Sequence, residues 1–315
     1  MTGKTLLIMD AEAAFYAREL GAAFPALTFL PATNEAEALP LAPRADVLIA
    51  LAPRISPRLL AAAPQLEWVH ALTTGVDNLL AMPQMRGTAL TKCNGIHGPQ
   101  MSELAILLMM ASARRFAQVI ANQPHATWER WPQPLLSGKT LCIVGLGAIA
   151  QTLAGIGAAF GMRVTGVSDG RTQVPGFARI FRRADLPRAA SEADFLVVLV
   201  PYSPETHHLI NAPVLAAMKP SAHLINIARG GCVDEAALLA ALDQGQIAGA
   251  ALDVFATEPL PADSPFWTHP KVIVTPHIGG YSDTYHQQAL PAVVNAVAEW
   301  VDGGTAGLSH RQDRE

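Results

Sequence analysis

Short apolar runs that alternate with alanine-rich stretches constrain the fold of this chain more than any other feature of its sequence. Such runs are typical of β-strands, and the stretches between them of helices. The first predicted strands are Thr5 to Met9, Ala26 to Phe29, Val47 to Ala50, Trp68 to Ala71 and Ala89 to Thr91. The second set is Leu141 to Val144, Arg163 to Val167, Phe195 to Val200, His223 to Ile227, Ala248 to Leu252 and Val272 to Thr275. The alternation predicts an α/β fold of doubly wound parallel sheets with helices on both faces.

Composition limits the size of this fold and its partners. With 315 residues and a mass of 33.3 kDa, the chain has room for about two domains of ~150 residues each. Half of the residues are apolar and 15% are charged, which excludes wholesale disorder. The net charge is −4, and basic residues come at most as doublets such as Arg114-Arg115. This pattern argues against a nucleic-acid partner.

The sequence predicts neither a membrane segment nor a metal site. The longest apolar run, Leu104 to Ala113, is about half of the ~20 residues that a membrane-spanning helix needs, and Met1 to Asp10 lacks the length of a signal peptide. The three cysteines lie far apart, and His207-His208 has no carboxylate or cysteine at ligand spacing. We therefore expect a soluble, cytoplasmic protein without bound metal, in which any redox chemistry comes from a cofactor.

A long apolar helix separates the two sets of strands. We predict Ser102 as its N-cap and place Arg114-Arg115 near its end. A polar stretch with Trp128 and Trp131 follows, and such aromatic residues are loop anchors or interface residues. The last predicted helix is Leu290 to Val301.

A glycine-rich turn follows the strand Leu141 to Val144 and leads into a helix that reaches about Phe160. This strand, turn and helix context is that of a dinucleotide fingerprint. Gly145 permits the turn, Gly147 lets the backbone approach a pyrophosphate, and Ala150 stands for the third glycine. The predicted cofactor-binding turn is Gly145, Leu146, Gly147, Ala148 and Ile149. The alternative is an ordinary glycine turn of an α/β protein.

The end of the next strand bears on the choice between NADP and NAD. Asp169 could bind a ribose diol, but it lies one residue later than the end of the strand suggests. Ser168 and Arg171 could instead bind a 2′-phosphate. The signal is split and favours NADP slightly over NAD.

The same segment matches the G-x-S-x-G pattern of a serine hydrolase. Ser168 would be the nucleophile, and Asp253 and His277 follow in the chain order of that class. A nucleophile elbow needs a helix directly after the serine, whereas Pro175 and Gly176 follow here. We therefore rank the hydrolase below a dehydrogenase.

Three further loops follow apolar strands and carry candidate catalytic side chains. They are Asn226 to Asp234, Leu252 to Pro259 and Thr275 to Gly280. Loops at strand ends of doubly wound sheets can meet in one cleft. Together with the glycine turn, these stretches closely resemble the D-isomer-specific 2-hydroxyacid dehydrogenases. The resemblance covers Ser137 to Ser282, and Thr74 to Asn78 looks like the substrate-binding loop of that family.

The resemblance implies a role for each matching residue. Arg229 is the anchor of the substrate carboxylate and keto group, a task that suits a guanidinium fork. His277 is the general acid and base, and Glu258 is its acidic partner, which orients the imidazole and favours its protonated form. Backbone N–H groups of Gly75 and Val76 complete the carboxylate site.

The family resemblance also adds residues to the cofactor site beyond the glycine turn and Ser168, Asp169 and Arg171. They are Val200, Pro201, Thr206, Ala228, Asp253 and Gly279. For Asp253, a structural role is an equal alternative. Arg229 could also only cap a strand end, and Glu258 could be a solvated loop charge.

The resemblance implies a Rossmann-type nucleotide domain inserted in a flavodoxin-like substrate domain. Residues 97–283 form the inserted domain, and residues 1–96 with 284–315 form the substrate domain. Hinges at the two junctions would close Gly75 and Val76 over a substrate held by Arg229. Members of this family usually dimerise through the nucleotide domain, with Trp128 and Trp131 on the expected arm.

The expected activity is hydride transfer between NADP or NAD and a small 2-keto or 2-hydroxy acid of the D series. Glyoxylate and hydroxypyruvate are the first candidates as substrates. Some relatives of this family are nicotinamide-sensing corepressors, so a binding protein is the alternative from another functional class.

Overall fold

A computed structural model describes residues 3–312 of the chain, which form two compact units. The terminal unit combines residues 3–96 with residues 282–312, and the central unit is His97–Tyr281. Each unit has its own parallel sheet.

The terminal unit alternates strands and helices along its first part. Its elements are β1 Thr5–Met9, α1 Ala13–Ala23, β2 Thr28–Ala32, α2 Glu35–Ala38, β3 Val47–Ala50, α3 Pro57–Ala61, β4 Trp68–Ala71, α4 Asp77–Ala81 and β5 Ala89–Lys92. The five strands pair in the order β2-β1-β3-β4-β5, all parallel. This order is flavodoxin-like, as predicted.

The central unit follows the same principle with a larger sheet. Its elements are α5 Gly98–Arg114, α6 Phe116–Asn122, β6 Thr140–Val144, α7 Ala148–Ala159, β7 Arg163–Val167, β8 Arg179–Phe181, α8 Leu186–Glu192, β9 Phe195–Val198, α9 Ala212–Ala217, β10 His223–Asn226, α10 Glu235–Asp243, β11 Gly249–Leu252 and β12 Val272–Val274. The seven parallel strands have the order β12-β11-β10-β9-β6-β7-β8. This is the Rossmann order extended by one strand, so the prediction of two doubly wound parallel sheets is confirmed.

The last helix, α11 Tyr285–Gly303, packs within the terminal unit. The rings of Trp300 and Trp68 lie 5.7 Å apart, and both side chains are fully buried. The indole N–H of Trp300 donates to Glu67 at 3.0 Å, which satisfies its one polar atom. Burial of these two indoles joins the end of the chain to the first sheet.

Several predicted boundaries were wrong, each for a local reason. Helix α5 begins at Gly98 rather than after Ser102, because Pro99 fits the first turn of a helix, and Ser102 lies buried inside it. Strand β2 runs to Ala32 through Pro31, which an edge strand tolerates. Strand β8 was not predicted, because an edge strand of three residues that begins with arginine gives no apolar run.

Among residues 3–312, no single helix is long and apolar enough to cross a membrane. Only Gly98–Arg114 joined to Phe116–His125, across a bend of 66°, reaches sufficient length and composition.

Candidate active site

The glycine turn predicted to bind a pyrophosphate lies between β6 and α7. Gly147 is the N-cap of α7, and no side chain caps the helix there, so its first N–H groups are open to an anion. A Cβ at Gly147 would meet no atom within 4 Å, so the backbone borders open space. Ala150 is fully buried, as expected where the helix packs on the sheet. The turn therefore fits the pyrophosphate of a dinucleotide.

Gly145 has a second, steric reason to be glycine. Its φ is +99°, and a Cβ would lie 2.9 Å from the backbone of Leu199 and of Val200. No other residue type fits this contact between the end of β6 and the end of β9. β6 and β9 are neighbours in the sheet, and the strands that follow β6 and β9 in the sequence are added on opposite sides of this pair. Ligands of doubly wound sheets bind at this switch point.

Ser168, Asp169 and Arg171 follow β7 in a loop without regular structure. The Ser168 hydroxyl accepts the backbone N–H of Arg171 at 3.2 Å. The Asp169 carboxylate accepts the N–H of Arg183 at 2.9 Å and lies 3.4 Å from the guanidinium of the same residue. In the described part of the chain, no helix begins directly after Ser168, since the next element is strand β8. The nucleophile elbow of a serine hydrolase is therefore not formed.

The predicted cofactor residues after β9 have unequal access. Pro201 is exposed and Val200 is nearly buried. Thr206 is 3% exposed, and its hydroxyl donates to the Pro201 carbonyl and accepts from the Ser203 N–H, both at 2.7 Å. Thr206 thus shapes this turn from within.

The three predicted catalytic loops leave the ends of β10, β11 and β12. These strands are parallel neighbours, so their carboxyl ends meet at one edge of the central sheet. A Cβ on Gly230 would overlap the backbone of Phe255 and Ala256, because the loop after β10 crosses the loop after β11 there. Sequence reasoning missed this requirement for glycine, because spacing alone does not reveal a loop crossing.

His277 lies at the turn after β12 with φ of +52°. A non-glycine residue rarely adopts this left-handed conformation, and such residues need support from the surrounding structure. Asp253 supplies this support. Its backbone carbonyl accepts the N–H of His277. Its carboxylate accepts the N–H groups of Ile278 and Gly279, both at 3.0 Å, and the hydroxyl of Thr275 at 2.6 Å. Since Asp253 is 1% exposed, these contacts support the structural alternative for this residue.

His277 and Glu258 form a direct pair. Nδ1 of His277 lies 2.6 Å from Oε2 of Glu258, and Oε1 accepts the N–H of Phe255 at 2.9 Å. Partial burial opposes ionisation of Glu258, but the bonds from His277 and Phe255 and the charge of Arg229 outweigh it and lower the pKa of Glu258. The carboxylate is therefore ionised and bound to the imidazole at neutral pH.

Arg229 is half-buried in extended backbone after β10. Asn226 donates to its carbonyl at 3.0 Å, and its own Nη1 donates to the Ala228 carbonyl at 2.6 Å. Its charge reaches His97, which is 8% exposed at the N-cap of α5: burial and then the charge of Arg229 lower the pKa of His97 to about 4. The sequence gives no sign of this interaction, because His97 and Arg229 are far apart along the chain.

The remaining predicted residues are Ala228, Gly279, Gly75 and Val76. Ala228 and Gly279 are buried at the ends of β10 and β12, and Gly279 lies against Leu104, Met101 and Asp253. Gly75 and Val76 belong to the terminal unit, in the loop between β4 and α4. Their role toward a substrate carboxylate stays a prediction.

A dinucleotide turn at the switch point of a Rossmann sheet, with a histidine–carboxylate pair at the neighbouring strand ends, is typical of nicotinamide-dependent dehydrogenases. Residues 106–279 match the model of the NAD binding domain of D-isomer specific 2-hydroxyacid dehydrogenases. The chain belongs to this family and is an NAD(P)-dependent hydroxyacid oxidoreductase. These similarities favour neither the serine hydrolase nor the nicotinamide-sensing corepressor.

Two curated relatives illustrate the range of the family. A glyoxylate/hydroxypyruvate reductase B from Pectobacterium carotovorum subsp. carotovorum is 36% identical over 264 residues, which are 81% of this chain and 82% of that protein. A D-3-phosphoglycerate dehydrogenase from Synechocystis sp. is 35% identical over 287 residues, or 88% of this chain. The chain spans only 50% of the length of that second relative.

Two solved structures are similar over nearly the whole chain. A D-isomer specific 2-hydroxyacid dehydrogenase family protein from Aeromonas salmonicida subsp. salmonicida A449 has a TM-score of 0.91 and 36% identity, with 100% of both chains covered. An NADPH-dependent glyoxylate/hydroxypyruvate reductase from Sinorhizobium meliloti, in complex with NADP and sulfate, has a TM-score of 0.82 and 28% identity, with 99% of this chain and 98% of that chain covered.

Proposed function

We propose that this protein reduces small 2-keto acids, with glyoxylate and hydroxypyruvate as first substrates and NADPH as the preferred cofactor. The observation that carries the proposal is the pairing of His277 with Glu258 at 2.6 Å, next to the strand end that presents Arg229. A proton donor and a carboxylate anchor are the two groups that reduction of a keto acid requires from a protein.

Each of the three side chains has a separate task in this proposal. Arg229 pairs with the substrate carboxylate through its guanidinium fork and polarises the adjacent carbonyl. Because Nδ1 of His277 is bound to Glu258, Nε2 exchanges the proton with the substrate oxygen. Glu258 fixes the orientation of the imidazole through its bond to Nδ1. The nicotinamide cofactor supplies the hydride when bound.

The residues of the central unit fit such a cofactor. Gly147, in the turn Gly145 to Ile149, borders open space at the start of α7, and this turn would hold the pyrophosphate. Val200 and Pro201 lie at the end of β9, beside this turn, and would contact the nucleoside portion. Asp253 and Thr206 would act indirectly, through the loops that they hold.

The preference for NADPH is supported by the loop after β7. The carboxylate of Asp169 already binds Arg183, so it is less available to a ribose diol than a free carboxylate would be. Ser168 and Arg171 are close in the same loop and would bind a 2′-phosphate. The related reductase from Sinorhizobium meliloti carries NADP, which agrees with this choice.

We also propose that the protein is a cytoplasmic homodimer that associates through the central unit. The support for the dimer is an apolar surface over α5, α6 and the stretch that follows. Its exposed members are Leu107, Phe116, Val119, Ile120, Trp128 and Leu135. Trp128 is 92% exposed, and several exposed large apolar side chains on consecutive segments are typical of an interaction site.

The function is tested by the absorbance of reduced nicotinamide with glyoxylate, hydroxypyruvate, pyruvate and phenylpyruvate. We expect oxidation of NADPH, and His277→Ala to lower kcat about 10²- to 10⁴-fold, since general acid catalysis contributes that much. The exposed His125→Ala is the matched control and should keep full activity. Binding of both cofactors without reduction of any keto acid would contradict the proposal.

A further inference from the structure

One ion pair of the central unit has no part in the proposed chemistry but lies at the predicted ribose end of the cofactor site. Asp169 accepts the backbone N–H of Arg183 at 2.9 Å, and Nε of Arg183 lies 3.4 Å from the second carboxylate oxygen. Arg183 thus binds both oxygens of Asp169 across a separation of fourteen residues. The carboxylate is held toward β8 and the residues after it.

Arg183 also contacts a second loop of the same site. Its Nη1 donates to the backbone carbonyl of Glu205 at 3.4 Å, in the turn after β9 that contains the predicted cofactor residues Pro201 and Thr206. The guanidinium therefore bridges the loop after β7 and the turn after β9. It is 37% exposed, against 53% for the side chain of Asp169, so both partners remain within reach of a ligand.

A carboxylate at the end of the second Rossmann strand has a well-defined effect on cofactor choice. It accepts hydrogen bonds from the ribose hydroxyls of NAD and repels the 2′-phosphate of NADP. The repulsion falls when a cation binds that carboxylate, because the net charge of the pair is zero. Asp169 alone would select NAD, whereas Asp169 bound to Arg183 does not present this charge.

We propose that Arg183 determines the cofactor preference by engaging Asp169, so that Ser168 and Arg171 bind the 2′-phosphate without opposition. Arg183 acts through Asp169 and is therefore a positioning residue rather than a ligand of the phosphate. The inference rests on the proposed preference for NADPH, and it names the residue that allows this preference despite an acidic side chain in the ribose position.

A double-mutant cycle separates this role from direct binding of the phosphate. The dissociation constants of NADPH and NADH are measured by nicotinamide fluorescence, without substrate, for the wild type, Arg183→Gln, Asp169→Asn and the double variant. We expect Arg183→Gln to weaken NADPH binding about tenfold and leave NADH binding unchanged or tighter. With Asn at position 169, the same change should alter NADPH binding by less than about twofold.

Arg188→Gln is the matched control, because it removes one exposed arginine of the same unit from helix α8. It should leave the ratio of the two dissociation constants unchanged. Equal weakening of NADPH by Arg183→Gln in both backgrounds, or no weakening at all, would overturn the role of Arg183. Thermal unfolding of each variant identifies a loss of fold, and Arg183→Lys, which keeps the charge, should keep most of the NADPH affinity.

The same data distinguish failure of the proposed cofactor preference from failure of this inference. Tighter binding of NADH than of NADPH by the wild type contradicts the preference alone. The role of Arg183 is then tested by how Arg183→Gln changes the ratio of the NADPH and NADH dissociation constants, and by whether that change requires Asp169.

Discussion

At the scale of single residues, the proposed proton donor has an unfavourable backbone conformation. His277 has a φ of +52°, and Asp253 holds it there through its backbone carbonyl and its carboxylate. The sequence names His277 as the proton donor through a resemblance between loops, and that role stays a prediction. It left the task of Asp253 open, since hydrogen bonds to backbone N–H groups do not show in a residue pattern.

The pairing of Glu258 with His277 predicts a loss of rate when the pair is broken. Glu258 holds Nδ1 of His277 at 2.6 Å and the N–H of Phe255 at 2.9 Å, and Glu258→Ala removes both bonds. In the proposed mechanism, the imidazole is then no longer oriented toward the substrate oxygen. We expect kcat for reduction of the keto acid to fall about 10- to 100-fold, with a smaller change in KM, as measured by the absorbance of reduced nicotinamide.

Glu235→Ala is the matched control for this loss of rate. Glu235 also holds the loop after β11, since it accepts the N–H of Ala256 at 2.7 Å, but no contact with His277 is present among the described residues. It should lower kcat much less than Glu258→Ala does. An equal loss of kcat in both variants would assign the effect to the position of the loop instead of to the bond between Glu258 and His277.

At the scale of elements, the sequence predicted central strands better than edges and helix ends. Strands β1, β3, β4 and β7 have the predicted bounds, because burial on both faces gives continuous apolar runs. Edge strands β2 and β8 did not follow this pattern, because one side of an edge strand has no neighbouring strand to pair with. The predicted start of α5 was wrong because serine is a common N-cap residue, whereas Ser102 is buried within the helix.

Helix α6 offers a test of the proposed dimer. It has no buried residue, and Phe116 and Ile120, one turn apart, are 50% and 52% exposed. A charge at the centre of an apolar interface would be desolvated without a partner. Sedimentation of Ile120→Asp should therefore give a monomer where the wild type gives a dimer. Trp267→Asp, which charges an apolar residue of similar exposure outside this surface, should remain dimeric; equal behaviour of both variants would contradict the interface.

At the scale of the whole molecule, alternation of strands and helices predicted parallel sheets, and the family resemblance implied their Rossmann-type and flavodoxin-like orders. The burial of polar groups could not be predicted, because it depends on which residues meet. His70 and His97 are 2% and 8% exposed, and His223 is only partly exposed; burial lowers the pKa of each from 6.5 to about 4. All three histidines are therefore neutral in the folded protein above about pH 4.

These neutral histidines predict a loss of stability in mild acid. Between pH 6.5 and 4, the unfolded chain binds protons at these positions and the folded chain does not, so the free energy of unfolding falls as pH decreases through this window. A shift of this size corresponds to about 3 kcal/mol for the fully buried His70. Thermal unfolding should show a smaller decrease in Tm from pH 6.5 to 4 for His70→Gln than for the wild type, whatever the change costs at neutral pH. The exposed His125→Gln should retain the wild-type decrease, and an unchanged pH dependence in His70→Gln would mean that His70 is protonated in the folded state.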